Sequence, residues 1–245
     1  RDPIFFAQLD SELSYLDTIP DEATRTSLKH SVIDTCFRCH GVLGKRQHDI
    51  DQPGANYSLD YIYRTGSEPG AQYGALSRDG ISCTSCHRIQ RDAIPPTWKK
   101  SPLEFFLTNT ITGQFQTGPA EEIYGPFKDD EIVTVPMDHA LAAKPKHNEY
   151  VQSARMCGSC HTIDLPVVDK NQPIQPINDT TPHSIEQATY LEWLNSAYQN
   201  EFGKPGPSAQ TCQDCHMPRK LANEQLGLNV DPIQTRIAIV EDDSY

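Results

Sequence analysis

Apolar residues recur with a helical period in few places along this chain. Asp21 is a capping residue followed by an acidic first turn at Glu22, and the segment to Asp34 reads as a helix running into Cys36. Residues 8–17 read as a second, short helix. The longest apolar stripe follows Thr181-Pro182. Ile185, Ala188, Leu191 and Trp193-Leu194 share one face of a helix expected over Ser184–Tyr198, with Pro182 suited to an early position. Residues 41–80 and 111–150 are rich in Gly, Pro, Asp and Asn and read as irregular. Ile132-Val-Thr-Val135 is the one expected short strand. No apolar run approaches the length of a membrane span.

The expected fold class is mostly irregular or loop, with a few short α-helices and minimal β. Loops this long need another source of order. Only 37% of residues are hydrophobic, and 19 are proline. A chain so polar is poorly equipped to fold around side chains alone. The net charge of −12 argues against nucleic acid as a partner and against docking on anionic lipid.

The cysteines supply the missing order. All eight fall in four Cys-x-x-Cys-His pentapeptides: Cys36, Cys39 and His40; Cys83, Cys86 and His87; Cys157, Cys160 and His161; Cys212, Cys215 and His216. This is the attachment motif of c-type haem: two thiols add to the vinyl groups and the histidine ligates the iron. A lone CxxC is also compatible with half a zinc site or a thioredoxin-like redox pair. Histidine is 9 of 245 residues, so its recurrence after every CxxC by chance is roughly a one-in-a-million event. Four covalent haems would then form much of the core, and metal binding would be coupled to folding. The motifs begin at 36, 83, 157 and 212 with no fixed period, so residues 1–245 read as one tetrahaem domain. Residues 1–25 and 221–245 are candidate interface or terminal extensions. Haem c is attached outside the cytoplasm, and Arg1 reads as the start of a chain whose signal peptide has been removed. The expected location is extracellular or at the cell surface, with the periplasm as the alternative.

The second axial ligand decides what each haem does. Five histidines lie outside the motifs, namely His30, His48, His139, His147 and His183, and four suffice to make every iron bis-histidine. His30, His139 and His147 lead. His48 and His183 compete for the last place, and His183 could instead cap its helix. Met137 is a minor candidate; Met156 and Met217 flank motifs and are badly placed to reach the opposite haem face. Tyr190, Trp193 and Tyr198 could line haem edges or simply pack their helix. Lys45, Arg46 and Arg88 could meet propionates or be solvated surface charge. The acidic run Asp10, Glu12, Asp17, Asp21 and Glu22 reads as a solvated face, with divalent-ion binding as the alternative. No constellation suggests hydrolytic chemistry and no catalytic residue is assigned.

Three stretches carry a family likeness: Tyr73-Gly-Ala-Leu-Ser-Arg-Asp-Gly-Ile-Ser-Cys83-Thr-Ser-Cys86-His87-Arg-Ile, Cys157-Gly-Ser-Cys160-His161-Thr-Ile-Asp-Leu-Pro, and Glu186-Gln-Ala-Thr-Tyr-Leu-Glu-Trp193-Leu-Asn-Ser with Cys212-Gln-Asp-Cys215-His216-Met-Pro. Over roughly residues 30–220 the chain resembles the extracellular tetrahaem cytochromes that polymerise into filaments, the cytochrome nanowires. The resemblance implies a continuous haem chain of parallel and T-shaped pairs, all bis-histidine, with one axial histidine donated across a subunit interface. It also implies a head-to-tail homopolymer exchanging electrons with redox proteins or extracellular acceptors. The fifth spare histidine departs from that pattern. A soluble periplasmic tetrahaem carrier is the alternative, and a multihaem oxidoreductase with one open iron is a further one.

Overall fold

A computed structural model describes residues 3–92, 113–166, 183–217, 221–223 and 228–230. Thr181 and Pro182 lie outside these residues. The described residues are mostly helix and loop, with little sheet.

The N-terminal half is helical. Helix α1 spans Pro3–Leu16 and helix α2 spans Glu22–His40. The Asp21 carboxylate accepts from the Thr24 N–H at 2.8 Å, which satisfies one of the open donors at the start of α2. The Thr24 side chain, and after it that backbone bond, hold the Asp21 carboxyl below its usual value. Helix α3 follows at Val42–Asp51, a 3-10 turn covers Leu59–Tyr63, and helix α4 spans Ala71–Arg78. Leu9, Ile33, Phe37, Tyr57, Ile62 and Tyr73 form the core between these elements. Each such apolar side chain contributes roughly 1.5–3 kcal/mol on burial.

Residues 41–80 are therefore far more ordered than their composition predicts. Close packing explains why. Gly44 lies so near α4 that a Cβ there would fall inside Ser77 Oγ and the Tyr73 carbonyl. Glycine, a poor helix former by itself, is what allows α3 and α4 to touch.

Beyond α4 come the short helix α5 (Cys83–His87) and strand β1 (Ile89–Asp92), which pairs antiparallel with β2 (Phe115–Thr117). Strand β3 (Glu122–Gly125) runs parallel to β4 (Lys144–His147), with helix α6 (Val135–Leu141) between them. The strand expected at 132–135 does not form. Pro136 sits in the first turn of α6, where its fixed φ favours helix. A 3-10 turn at Glu149–Gln152 leads into helix α7 (Ala154–Gly158).

The stripe expected as one helix over Ser184–Tyr198 divides in two. His183–Gln187 is strand β6, antiparallel to β5 (Ile163–Pro166), and helix α8 is confined to Thr189–Leu194. Pairing with β5 overrides local helix propensity. Ile185 is left 47% exposed, whereas Tyr190 is 1% exposed and anchors the short helix. Helix α9 (Cys212–His216) opens with a capping box between Thr211 and Asp214. Strands β7 (Leu221–Asn223) and β8 (Leu228–Val230) form a last two-stranded ribbon. Among the described residues no helix is long and apolar enough to cross a membrane.

Candidate haem centre

Every pentapeptide occupies a helical turn or a helix end. The first ends α2, the second is α5, the third begins in α7 and the fourth is α9. A helical turn projects residues three apart to one side of the axis, so both thiols of a motif can serve one porphyrin. All eight cysteines are free thiols.

His40 is exposed, and the Phe5 ring stacks on it at 4.0 Å and 13°. The same ring borders a cavity of about 230 Å³ lined by Phe6, Phe37, Ile62, Ile81 and Arg78. Cys36 is half-buried, and its thiol is pushed up to about 11 by burial, with the Glu186 and Glu12 carboxylates adding to the effect.

At the second motif His87 Nδ1 lies 2.5 Å from the Tyr124 carbonyl. A carbonyl oxygen can only accept, so Nδ1 carries the proton and Nε2 keeps its lone pair. That is the orientation a metal-ligating histidine needs. Nothing in the sequence pointed to Tyr124, because the contact is made by its backbone from β3. Cys86 packs with Ile89, Tyr124, Val151 and Met156, and burial raises its thiol above the usual range.

The third motif is where the others meet. Met156, beside Cys157, shares a core with Cys86 of the second motif. Ala154 and Tyr190 share another with Cys212 of the fourth. Gln213 Nε2, inside the fourth motif, donates to the carbonyls of Val151 at 3.1 Å and Ser153 at 2.9 Å, directly ahead of α7. Gly113 donates its N–H to the Ser159 carbonyl at 2.6 Å. Its φ of +73° suits glycine, and a Cβ there would meet Arg38 and Cys39 of the first motif. Interaction with Cys160, together with burial, pushes the Cys39 thiol up, and interaction with Cys212, together with burial, pushes Cys157 up; the same interactions hold Cys160 and Cys212 down.

Glu201 also joins motifs three and four. It accepts from Tyr190 Oη at 2.5 Å, Ser153 Oγ at 2.5 Å and the Arg155 N–H at 3.0 Å. Sequence alone gave no sign of Glu201.

The five spare histidines fall into different settings. His30, on α2, is half-buried beside a cavity of about 240 Å³, and its Nδ1 accepts from the Asn56 side-chain amide nitrogen at 2.9 Å, which leaves the ring proton of the neutral form on Nε2. His147 ends β4 opposite Gly125, next to the residue whose carbonyl holds His87. His139 is exposed on α6, a helix with no buried residue. His183 begins β6, and its side chain lies outside the described residues.

His48 differs from these. It has no exposed surface and is enclosed by Tyr57, Tyr61 and Tyr73 at centroid distances of 5.2–5.8 Å. Its Nε2 has no hydrogen-bond partner. An iron and porphyrin at that nitrogen would require the tyrosines to move. Lys45 is likewise buried and committed to Asp49 at 2.6 Å and Asp34 at 3.5 Å. Arg46 and Arg88 lie close enough for burial and mutual repulsion to lower the Arg46 value. In the acidic run, Asp17 pairs with Lys29 and Glu12 accepts from Gln8.

The residues present fit haem c. Free thiols and histidines stand on helical turns, and His87 has its tautomer set for ligation. Buried, unpartnered Ser82 Oγ, Thr162 Oγ1 and Gln213 Oε1 also lie beside or within motifs two, three and four. Such atoms cost roughly 1–3 kcal/mol each unless another group meets them. Among the described residues no three or more His, Cys, Asp or Glu side chains gather into a metal site of their own. Comparison with protein-family models, curated proteins and solved structures gives no match.

Proposed function

We propose that this chain carries four covalently attached c-type haems and transfers electrons among them. The observation that carries this reading is the placement of all four Cys-x-x-Cys-His pentapeptides on helical turns, three of them packed around the third. Each haem would supply an iron that cycles between ferric and ferrous states. The chain's part is to hold and tune it. Cys36 and Cys39, Cys83 and Cys86, Cys157 and Cys160, and Cys212 and Cys215 supply the thioether sulfurs. His40, His87, His161 and His216 supply one axial nitrogen each. The Tyr124 carbonyl orients His87, and a hydrogen bond of this kind raises ligand basicity.

For the opposite faces the reading takes His30, His139, His147 and His183, because His48 is buried among Tyr57, Tyr61 and Tyr73. Four such ligands would close every iron to substrate, consistent with an electron carrier and no catalytic residue.

The finer proposal is a repeating subunit of an extracellular filament. It rests on the family resemblance and on one surface. Val133, Val135 and Leu141 are 76%, 59% and 69% exposed around His139. An apolar patch bearing an exposed histidine suits a second copy of the chain that receives His139 as an axial ligand. A soluble carrier would keep all its ligands within one chain.

The test is the pyridine haemochrome spectrum and intact mass of protein made with the haem-attachment machinery. Four haems per chain and an all-low-spin ferric spectrum are expected. Fewer than four haems would refute the reading.

A further inference from the structure

We infer that Tyr73 and Asp51 form a proton-coupled electron donor, where an oxidising equivalent entering the tyrosine cluster around His48 comes to rest. Three phenol rings meet there. Tyr57 and Tyr61 lie 5.4 Å apart, Tyr61 and Tyr73 lie 5.5 Å apart, and His48 touches all three. Aromatic rings at these distances are ordinary core packing. The three tyrosines nevertheless have different neighbours, and those neighbours rank them as electron donors.

Tyr57 has no exposed surface, and its Oη lies 2.7 Å from Ser77 Oγ. Ser77 donates its own proton to the Gly41 carbonyl, so Tyr57 donates to an alcohol oxygen, which is a poor base. Tyr61 is half-buried and has the Arg64 guanidinium 5.1 Å from its ring centroid. A cation over the ring opposes the positive charge that electron loss would leave. Tyr73 is 3% exposed, and its Oη donates to Asp51 Oδ2 at 3.1 Å. That is within the reach a base needs to take a proton. The close approach of α3 and α4 at Gly44 brings the two together. Gln47 Nε2 holds the other Asp51 oxygen at 2.9 Å, and Gln52 Nε2 donates to Tyr73 Oη at 3.3 Å. Asp51 is exposed and can pass a proton on to water.

The oxidant is a one-electron acceptor, of which an organic peroxyl radical is the chemical class. It takes an electron from half-buried Tyr61, and Tyr73 refills Tyr61 through the ring contact. A phenol that has lost an electron is a strong acid. The Tyr73 O–H bond breaks, its proton goes to Asp51 Oδ2, and a neutral tyrosyl radical remains. The peroxyl radical, with the electron and a proton from water, becomes a hydroperoxide. An external thiol later returns the electron, and a proton returns through Asp51. The rings continue from Tyr57 through Phe37 at 5.0 Å and Phe5 at 5.8 Å to His40 at 4.0 Å. The cluster therefore spares the first motif and its surroundings from oxidation. The inference does not rest on the haem reading.

The experiment uses the full chain, with any iron it carries kept ferric by ferricyanide. Photogenerated tris(bipyridine)ruthenium(III) is the one-electron oxidant, and EPR follows the radicals. Exposed Tyr15, Tyr63 and Tyr198 are oxidised as well and decay by coupling between chains. A neutral tyrosyl signal that outlasts them is expected from the buried ring. Y73F should abolish it and Y57F should leave it. D51N keeps the shape of the side chain and removes the base. It should slow formation of the radical about 100-fold, the low end of what a positioned base supplies. A role in packing alone would not produce that kinetic loss. Absence of the long-lived signal in the parent, its survival in Y73F, or formation at the parent rate in D51N would each overturn the inference. If Y73F does not fold, the D51N rate decides.

Discussion

His48 separates a core residue from an axial ligand, and His48→Leu tests which it is. The imidazole has no exposed surface, and its Nε2 lacks a partner. An unmet buried polar atom costs about 1–3 kcal/mol, which leucine, of similar volume, removes. The change also forfeits edge contacts with Tyr57 at 5.4 Å and Tyr73 at 5.2 Å. Such contacts are worth about 0.5–1.5 kcal/mol each. The Nδ1–Asp49 contact is long at 3.4 Å and adds little, because Asp49 is already held by Lys45. Gain and loss nearly cancel, so the variant should match the parent within about 1.5 kcal/mol. Chemical denaturation measures that difference. The ferric spectrum should stay low-spin with four haems attached. His30→Leu, by contrast, should turn one haem in four high-spin. A high-spin component in His48→Leu, or a loss beyond about 4 kcal/mol, would refute the packing argument.

Three further outcomes follow from the same contacts. Gly44→Ala forces a Cβ into Tyr73 and Ser77. It should cost about 1–3 kcal/mol in a denaturant titration, as overpacked sites do; an unchanged midpoint would contradict the α3–α4 contact. Glu186 is held above its usual value by burial and by Glu12. Its contribution to stability is therefore full below about pH 4.5 and is lost as pH rises through the raised value. Glu186→Gln should stabilise the protein at pH 7 and leave it unchanged at pH 4, and a gap that widens on acidification would reverse the assignment. His139→Ala should leave the unfolding midpoint within about 0.5 kcal/mol, because the side chain is exposed. It should also shift the sedimentation profile toward single chains and add a high-spin signal. An unchanged profile would remove His139 from the subunit interface.

What the sequence disclosed was local. The Asp21 cap and the helix running into Cys36 need only neighbouring residues, and both are present. What it concealed was non-local. Helices α3 and α4 look like loop because Gly41, Gly44 and Gly74 lower helix propensity, yet glycine is what lets the two helices approach. The 183–187 segment has an acceptable helical stripe and becomes a strand because β5 offers a ladder. Among the spare histidines, counting could not separate His48 from His183. The tyrosines that enclose His48 lie 9, 13 and 25 residues further along.

Three small cores among the described residues explain why the third motif matters more than its place in the chain suggests. One core lies under the first motif, one joins the second to the third, and one joins the third to the fourth. Ser159 and Gly113 close the remaining link, from the third motif to the first. With 37% hydrophobic residues, none of these clusters is large enough to order its neighbours independently. They hold together because α7 and its flanks belong to all the links at once. On the proposed reading, covalent haems would add apolar surface at these joints, where buried Ser82, Thr162 and Gln213 atoms lack partners. Attachment at the third motif would then stabilise the contacts of every other motif. Folding and the electron path would depend on the same few residues.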